Sequence, residues 1–148
     1  MTDARELDLE PIAERYFAAW EARDPEAIIA LHTEDTRFWS HLGTEPVKGR
    51  EAVLATFTEL FERFPEFGFD TYRVLYGPGF WVLDWALTFR PEGSEETRRF
   101  DCLDVVNVDA EGLVVRKDTF VDMVQLQAAL PDADVASVAA EVETGVAA

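Results

Sequence analysis

An acidic residue inside an otherwise apolar strand pattern is the first feature of this sequence that could do chemistry. Residues 98–108 alternate with period two, and the even-numbered positions from Phe100 onward are apolar except for Asp104. Asp104 must be paired, reach solvent through a pocket or keep its proton, because desolvating an ionised carboxylate costs several kcal/mol. Lys117, on the next predicted strand, is the structural partner to weigh. An acid held neutral would instead donate a hydrogen bond inside a pocket.

The two histidines are the side chains whose ordinary pKa suits base chemistry near neutral pH. His41 ends a short predicted strand, and strict alternation turns it away from Phe38 and Ser40, although the loop that follows could redirect it. His32 falls at the end of a predicted helix, in an apolar setting typical of a packed histidine. His41 is therefore the candidate base, with Asp84 as a second candidate on the polar face of its strand.

Composition indicates one folded, acidic domain. The chain has 148 residues, a net charge of −17, 48% hydrophobic and 12% aromatic residues, and one cysteine, Cys102. Nucleic acid and anionic membranes would repel such a chain, and one cysteine excludes an intramolecular disulfide. The acidic start lacks the pattern of a signal peptide, so we expect a cytoplasmic protein that does not cross a membrane. Residues 1–131 are predicted as the domain and 132–148 as an acidic Ala/Val-rich tail.

Periodicity predicts the elements that must position these side chains. Helical spacing covers residues 11–23, 25–32 and 50–64, and period-two alternation covers 36–41, 67–76, 80–89, 98–108 and 113–123, with a Gly/Pro loop at 42–49. The short connections favour antiparallel neighbours, which gives an α+β fold with helices on one face of the sheet. The inward set predicted for the last strand is Val115, Lys117, Thr119 and Val121.

This order of elements resembles the SnoaL-like and ketosteroid isomerase-like branch of the nuclear transport factor two-like superfamily. The segment RYFAAWEARDPEAIIALHTEDT resembles the opening helix pair of that family, and LGTEPVKGREAV resembles its loop and third-helix start. The resemblance implies a cone-shaped, cystatin-like fold with three N-terminal helices packed on a curved, mainly antiparallel sheet. It also implies a homodimer, in which a partner covers the convex face that carries Leu103, Val105 and Phe120.

The resemblance implies a site of two hydrogen-bond donors that hold an oxyanion. The family's pocket tyrosine falls on Tyr16 and its neutral acid on Asp104; a carboxylic acid kept neutral in ketosteroid isomerase is a known example of this chemistry. The family's base position falls on Ser40, whose hydroxyl is too weak a base to abstract a carbon-bound proton. An isomerase or polyketide cyclase-type enzyme for a hydrophobic carbonyl compound would then need a displaced base, His41 or Asp84.

Apolar side chains are expected to form the substrate pocket of such an enzyme, with no cofactor or metal. The predicted substrate-binding residues are Trp20, Phe38, Phe57, Phe61, Leu83, Trp85, Phe100, Cys102 and Thr119. Two alternatives stay open at this stage. Ser40 at the base position favours a non-catalytic binding module. The segment DTFVDM resembles the closing strand of limonene epoxide hydrolase-like members, in which water activation would require Asp84 at the pocket; Asp118 in that segment belongs to the polar set and is expected to be exposed or to face a partner.

Overall fold

Three helices cover one face of a six-stranded sheet in the computed structural model, which describes residues 7–130. The predicted tail at 132–148 lies outside the described residues. The elements are α1 Leu9–Glu21, α2 Pro25–Ile29, β1 His32–Trp39, β2 Val47–Lys48, α3 Arg50–Arg63, β3 Gly68–Gly77, β4 Phe80–Phe89, β5 Arg98–Val108, β6 Val114–Val121 and α4 Met123–Ala129. The predicted α+β class, with its N-terminal helices and mainly antiparallel sheet, is confirmed.

Aspartate side chains cap three of the helices, the third being α4, where Asp122 accepts from the backbone N–H of Gln125. Asp8 accepts a hydrogen bond from the backbone N–H of Glu10 at the start of α1. Asp24 accepts one from Ala27 at the start of α2, where Pro25 occupies the first turn. Such caps satisfy backbone donors that have no partner inside the helix, and proline at the first turn loses no hydrogen bond. The Asp-Pro-Glu signal therefore gives the start of α2 correctly.

The sheet order is β2-β1-β6-β5-β4-β3, and the neighbouring strands β1 and β6 run parallel. Strands β3 to β6 form an antiparallel meander. Asp104 on β5 lies opposite Leu83 on β4 and opposite Thr119 on β6. It is therefore placed in the middle of the sheet, on the concave face that the helices cover.

Helix α2 is shorter than its sequence pattern predicts, and His32 belongs to β1 rather than to a helix. The helix ends at Ile29, and the backbone N–H of Val114 donates to the carbonyl of Leu31. This hydrogen bond brings the chain into the sheet four residues before the predicted strand start, and His32 pairs with Val114. The sequence also misses the two-residue strand β2 within the predicted loop, and the residues from Met123 form α4 rather than extending β6.

A bulge changes which residues of β6 face the helices. Val108 pairs with Val114, whereas Asn107 pairs with Arg116, so one residue of β6 has no partner at this point. Val114 is buried and Val115 is only half-buried, which corrects the predicted inward position of Val115. Beyond the bulge the predicted alternation holds, and Lys117, Thr119 and Val121 face inward.

The core lies between the helices and the concave face of the sheet. Phe57 of α3 is fully buried, and its ring contacts the rings of Trp20, His32 and Phe38 at centroid distances of 4.9, 5.6 and 5.2 Å. Phe57 therefore links α1 and α3 to β1. Within residues 7–130 no helix is long and apolar enough to cross a membrane.

We predict that Phe57→Ala lowers the free energy of unfolding by about 3–5 kcal/mol, because the cavity left among rigid rings cannot close. Val124→Ala is the matched control, since Val124 is 77% exposed and its truncation should change the value by less than about 0.5 kcal/mol. Urea denaturation at pH 7 measures both. Equal effects of the two substitutions would contradict the placement of Phe57 in the core.

Candidate functional site

A cavity of about 100 Å³ lies between the helices and the concave face of the sheet. Its walls are mainly aromatic and aliphatic. Seven of the predicted substrate-binding residues line it: Trp20, Phe38, Leu83, Trp85, Phe100, Cys102 and Thr119. Tyr16, Ser40, Asp104 and Lys117 contribute polar groups to the same walls. The cavity therefore combines an apolar interior with a small number of polar side chains, which is the usual composition of a small-molecule site.

Asp104 is buried and holds two hydrogen-bond donors. Its Oδ1 accepts a hydrogen bond from the Thr119 hydroxyl at 2.8 Å, and its Oδ2 lies 3.2 Å from the Lys117 Nζ. Both side chains of the ion pair are less than one-tenth exposed. Each carboxyl oxygen thus faces a donor, as expected for an ionised carboxylate and not for a neutral acid that donates. Of the two interpretations of Asp104, the structure shows the pairing with Lys117.

Lys117 is an ammonium group packed against aromatic rings. Its Nζ lies 4.3 Å from the ring centroid of Trp20 and 5.3 Å from that of Tyr16, within the range of cation–π attraction. Burial by itself lowers the pKa of Lys117, but attraction to Asp104 and Tyr16 outweighs it, and the pKa is raised above its ordinary value. Lys117 therefore stays protonated at neutral pH and supplies a fixed positive charge at the cavity wall.

Tyr16 belongs to a buried chain of three polar side chains. Its Oη lies 2.8 Å from the Nε2 of His32, and the Nδ1 of His32 lies 2.8 Å from the Thr36 Oγ1. Burial raises the pKa of Tyr16. Burial also lowers the pKa of His32, and the positive charges of Lys117 and Arg50 lower it further, to about 3. Phenol and imidazole are both neutral at pH 7. The hydrogen-bond partner of the Tyr16 hydroxyl within the protein is thus His32.

His41, the first candidate base, does not face the cavity. Its backbone has a φ of +52°, and its ring stacks between Trp39 and Phe120 at centroid distances of 3.9 and 4.0 Å on the convex face of the sheet. Its Nε2 lies 2.7 Å from the Oδ1 of Asp118, and Arg116 donates one hydrogen bond to each carboxyl oxygen of Asp118. The loop after β1 therefore does not redirect the ring inward, and strict alternation decides its side.

Asp118 and Asp84 also lie on the convex face of the sheet. Asp118 is buried rather than exposed, beneath Arg116 and His41; burial alone raises its pKa, but the hydrogen bonds from these two residues lower it overall. Asp84, the second candidate base, accepts a hydrogen bond from the Arg73 Nε at 3.0 Å on the same convex face. Neither carboxylate lines the cavity: Asp84 lies on the polar face of its strand, as the alternation predicts, and the pocket position that water activation would require is not met.

Phe57 and Phe61 do not line the cavity either. Their rings pack against Trp20 at centroid distances of 4.9 and 5.4 Å and support the indole from behind. Sequence reasoning missed the contribution of Lys117 to the cavity, although its two-residue spacing from Thr119 was the available signal. It also missed the contacts of His32 with Tyr16 and Thr36, because the three residues come together only when His32 enters the strand.

The described residues contain no group of three or more His, Cys, Asp or Glu side chains arranged to hold a metal ion. Cys102 is buried at the cavity wall, and burial raises the pKa of its thiol, so the thiolate is disfavoured at neutral pH. The charged side chains of the cavity walls are therefore the Asp104–Lys117 pair, with Glu59 and Arg63 of α3, and the other polar groups are neutral hydroxyl or indole donors.

Comparison with known proteins places this arrangement in a family. The model of the SnoaL-like domain matches residues 13–117, which is more than half of the chain. The chain belongs to the SnoaL-like domain family. Among similar solved structures is one described as a SnoaL-like polyketide cyclase from Shewanella putrefaciens CN-32, with 14% sequence identity and a TM-score of 0.72, covering 86% of this chain and 89% of that one. A search of curated proteins returned no match.

The likeness between the two SnoaL-like structures is one of fold, since the sequence identity is low. It confirms the predicted cone-shaped architecture of helices packed on a curved sheet. The fold hosts several reactions, and the side chains at the cavity have to decide among them.

We predict that stability falls as the pH is lowered through the range from about 6.5 to 4 and that His32→Phe removes part of this fall. The unfolded chain protonates His32 near 6.5, whereas the folded chain keeps it neutral down to about 3. In this window the unfolded state binds one more proton, which costs stability by up to about 1.4 kcal/mol per pH unit.

Urea denaturation at pH 7, 6 and 5 gives the slope for the wild type and the variant. His41→Gln serves as the matched control, because it changes the other histidine and leaves the His32 contribution in place. Identical slopes in the wild type and His32→Phe would contradict a neutral, buried His32.

Proposed function

We propose that this SnoaL-like protein binds a small ring-bearing carbonyl compound and catalyses proton transfer on it, in an isomerase or cyclase type of reaction. The observation that supports this most is the buried Asp104–Lys117 pair in the wall of an aromatic cavity. A carboxylate and an ammonium group at one point of a dry site can remove a proton and stabilise the negative charge that results.

In this proposal Asp104 is the base. A carboxylate can accept about four hydrogen bonds, and the contacts with Thr119 and Lys117 leave acceptor positions open on both oxygens. The Asp104 carboxylate takes a proton from the carbon next to the carbonyl group. This role replaces that of a neutral donor, and it requires neither Ser40 nor a displaced histidine.

Lys117 and Tyr16 would stabilise the enolate oxygen. One N–H of the Lys117 ammonium points to Asp104, and in this proposal a second N–H donates to the ligand oxygen. Tyr16 lines the same cavity, and its raised pKa keeps the phenol protonated. The abstracted proton returns from Asp104 to another carbon in an isomerisation. In a cyclisation the enolate carbon attacks a second carbonyl carbon of the same molecule, the π electrons of that carbonyl group go to its oxygen, and the resulting alkoxide takes the proton from Asp104.

The size of the cavity limits the ligand. An engineered cavity of about 150 Å³ in another protein admits benzene, and the cavity here has about 100 Å³. The volume here is the smaller of the two, and the cavity is open to solvent on one side, so the proposed substrate is a small compound, with one ring or an open chain, that can extend into the opening.

A non-catalytic binding module is the second candidate, and Ser40 favours it. Ser40 takes the position at which the resembling isomerases carry an aspartate, and its hydroxyl lies 3.5 Å from that of Thr44. Such a module would bind the same ring compounds without turnover. Water activation of the epoxide hydrolase type is not proposed, because Asp84 pairs with Arg73 on the opposite face of the sheet.

We predict that the protein accelerates deuterium uptake at the carbons next to the carbonyl group of cyclohexanone or acetophenone in deuterated buffer, followed by NMR. Asp104→Asn should lower this rate by about 100-fold or more, since it removes the base. Lys117→Met should lower it as well, because the enolate loses its counter-charge. Asp84→Asn is the matched control and should retain the wild-type rate. Binding of these ketones without any exchange would leave the binding module as the function.

We further propose that two copies associate through the convex face of the sheet. Phe120, Leu75 and Tyr72 lie there and are 44%, 47% and 52% exposed, and Leu103 and Val105 between them are half-buried. Exposed apolar side chains that cluster on one sheet face are typical of an interface.

We predict a dimer in size-exclusion chromatography with light scattering and a monomer for Phe120→Arg, because a charge at the centre of the face must be desolvated. Glu62→Arg, on the exposed side of α3, is the control and should not change the mass. A monomeric wild type at micromolar concentration would contradict the proposal.

A further inference from the structure

Tyr16, His32 and Thr36 form a buried chain of hydrogen bonds, and the direction of donation along it decides whether Tyr16 can donate into the cavity. We propose that His32 is a positioning residue: its Nε2–H donates to the Tyr16 Oη, and this turns the phenolic proton of Tyr16 toward the cavity. The proposal deepens the proposed function, since it assigns the group that makes Tyr16 a donor to a ligand oxygen.

Two proton arrangements fit the observed distances. In one, Tyr16 donates to Nε2, and Nδ1–H donates to Thr36. In the other, Thr36 donates to Nδ1, and Nε2–H donates to Tyr16. The imidazole is neutral, because burial and two nearby cations disfavour its charged form, so it carries one ring proton and only one of these arrangements holds at a time.

The surroundings of Thr36 favour the second arrangement. Thr36 has no exposed surface, and the hydrogen bonds within residues 7–130 give its hydroxyl no partner other than His32. In the first arrangement the Thr36 hydroxyl proton would be buried without an acceptor, which is unfavourable. In the second, that proton is used by Nδ1, and the proton without a partner is that of Tyr16, at the cavity end of the chain. Only there can a ligand or water accept it.

Packing keeps the imidazole in place for this task. The His32 ring lies between the rings of Tyr16 and Phe57, at centroid distances of 5.5 and 5.6 Å, and is 1% exposed. Hydrogen bonds in a chain polarise one another, so a Tyr16 hydroxyl that accepts from His32 is a stronger donor to the next group. Lys117, whose Nζ lies 5.3 Å from the centroid of the Tyr16 ring, packs against the face of that ring.

Nitrogen NMR of the wild-type protein tests the direction without any ligand or activity. The chain has two histidines, and comparison with His41→Gln assigns the signals of His32. We expect a protonated Nε2 and an unprotonated Nδ1 at pH 7. A protonated Nδ1, or protons on both nitrogens, would overturn the proposal.

Binding of phenol, a one-ring mimic of an enolate, gives a second test through the sign of the effect. If His32 donates to Tyr16, His32→Phe should weaken phenol binding by roughly five-fold or more through the loss of this polarisation. His32→Gln should restore part of the affinity, because the amide N–H can donate in the place of Nε2–H. If Tyr16 instead donates to His32, removing the imidazole releases the phenolic proton and phenol binds more tightly, which would refute the inference.

The two proposals fail in different ways. Absence of phenol and ketone binding by the wild type would refute the proposed function, whereas the NMR result for His32 would still decide the direction of the chain. A protonated Nδ1 in a protein that binds phenol would refute the inference and leave the function intact.

Discussion

The buried ion pair between Asp104 and Lys117 is the interaction on which the arrangement of the cavity depends. Two charges removed from water repay their desolvation only when the pairing is close and other hydrogen bonds complete it, and loss of one partner leaves an uncompensated charge. Thr119 supplies the additional hydrogen bond, because it lies opposite Asp104 in the β5–β6 register and two residues after Lys117. The register of two strands therefore fixes the polar end of the cavity.

The aromatic rings around this pair serve both stability and function. Trp20 packs against Phe57 and Phe61 on one side and lies beneath the ammonium group of Lys117 on the other. The same ring therefore shields the ion pair from water and forms part of the cavity wall. A site excluded from water strengthens the electrostatic effect of a carboxylate or an ammonium group on a bound ligand.

Two clusters of ionisable side chains lie on opposite faces of the sheet. The concave face holds Asp104 and Lys117, which are adjacent to an apolar cavity. The convex face holds His41, Asp118 and Arg116, which satisfy one another beneath Phe120. Both clusters contain a buried carboxylate, and only the one next to a cavity has room for a ligand. Burial of an acid alone therefore does not identify a site; its position relative to empty space does.

The sequence by itself determined the fold class, most strand boundaries and the inward position of Asp104, because periodicity and local caps act over a few residues. Tertiary structure decided the rest. A hydrogen bond between Leu31 and Val114, which are 83 residues apart in the chain, places His32 in β1, where the local pattern predicts a helix. The β6 bulge removed Val115 from the predicted inward set, and Tyr16, His32 and Thr36 come together only because His32 lies in β1. Such contacts join residues distant in sequence, and no local pattern contains them.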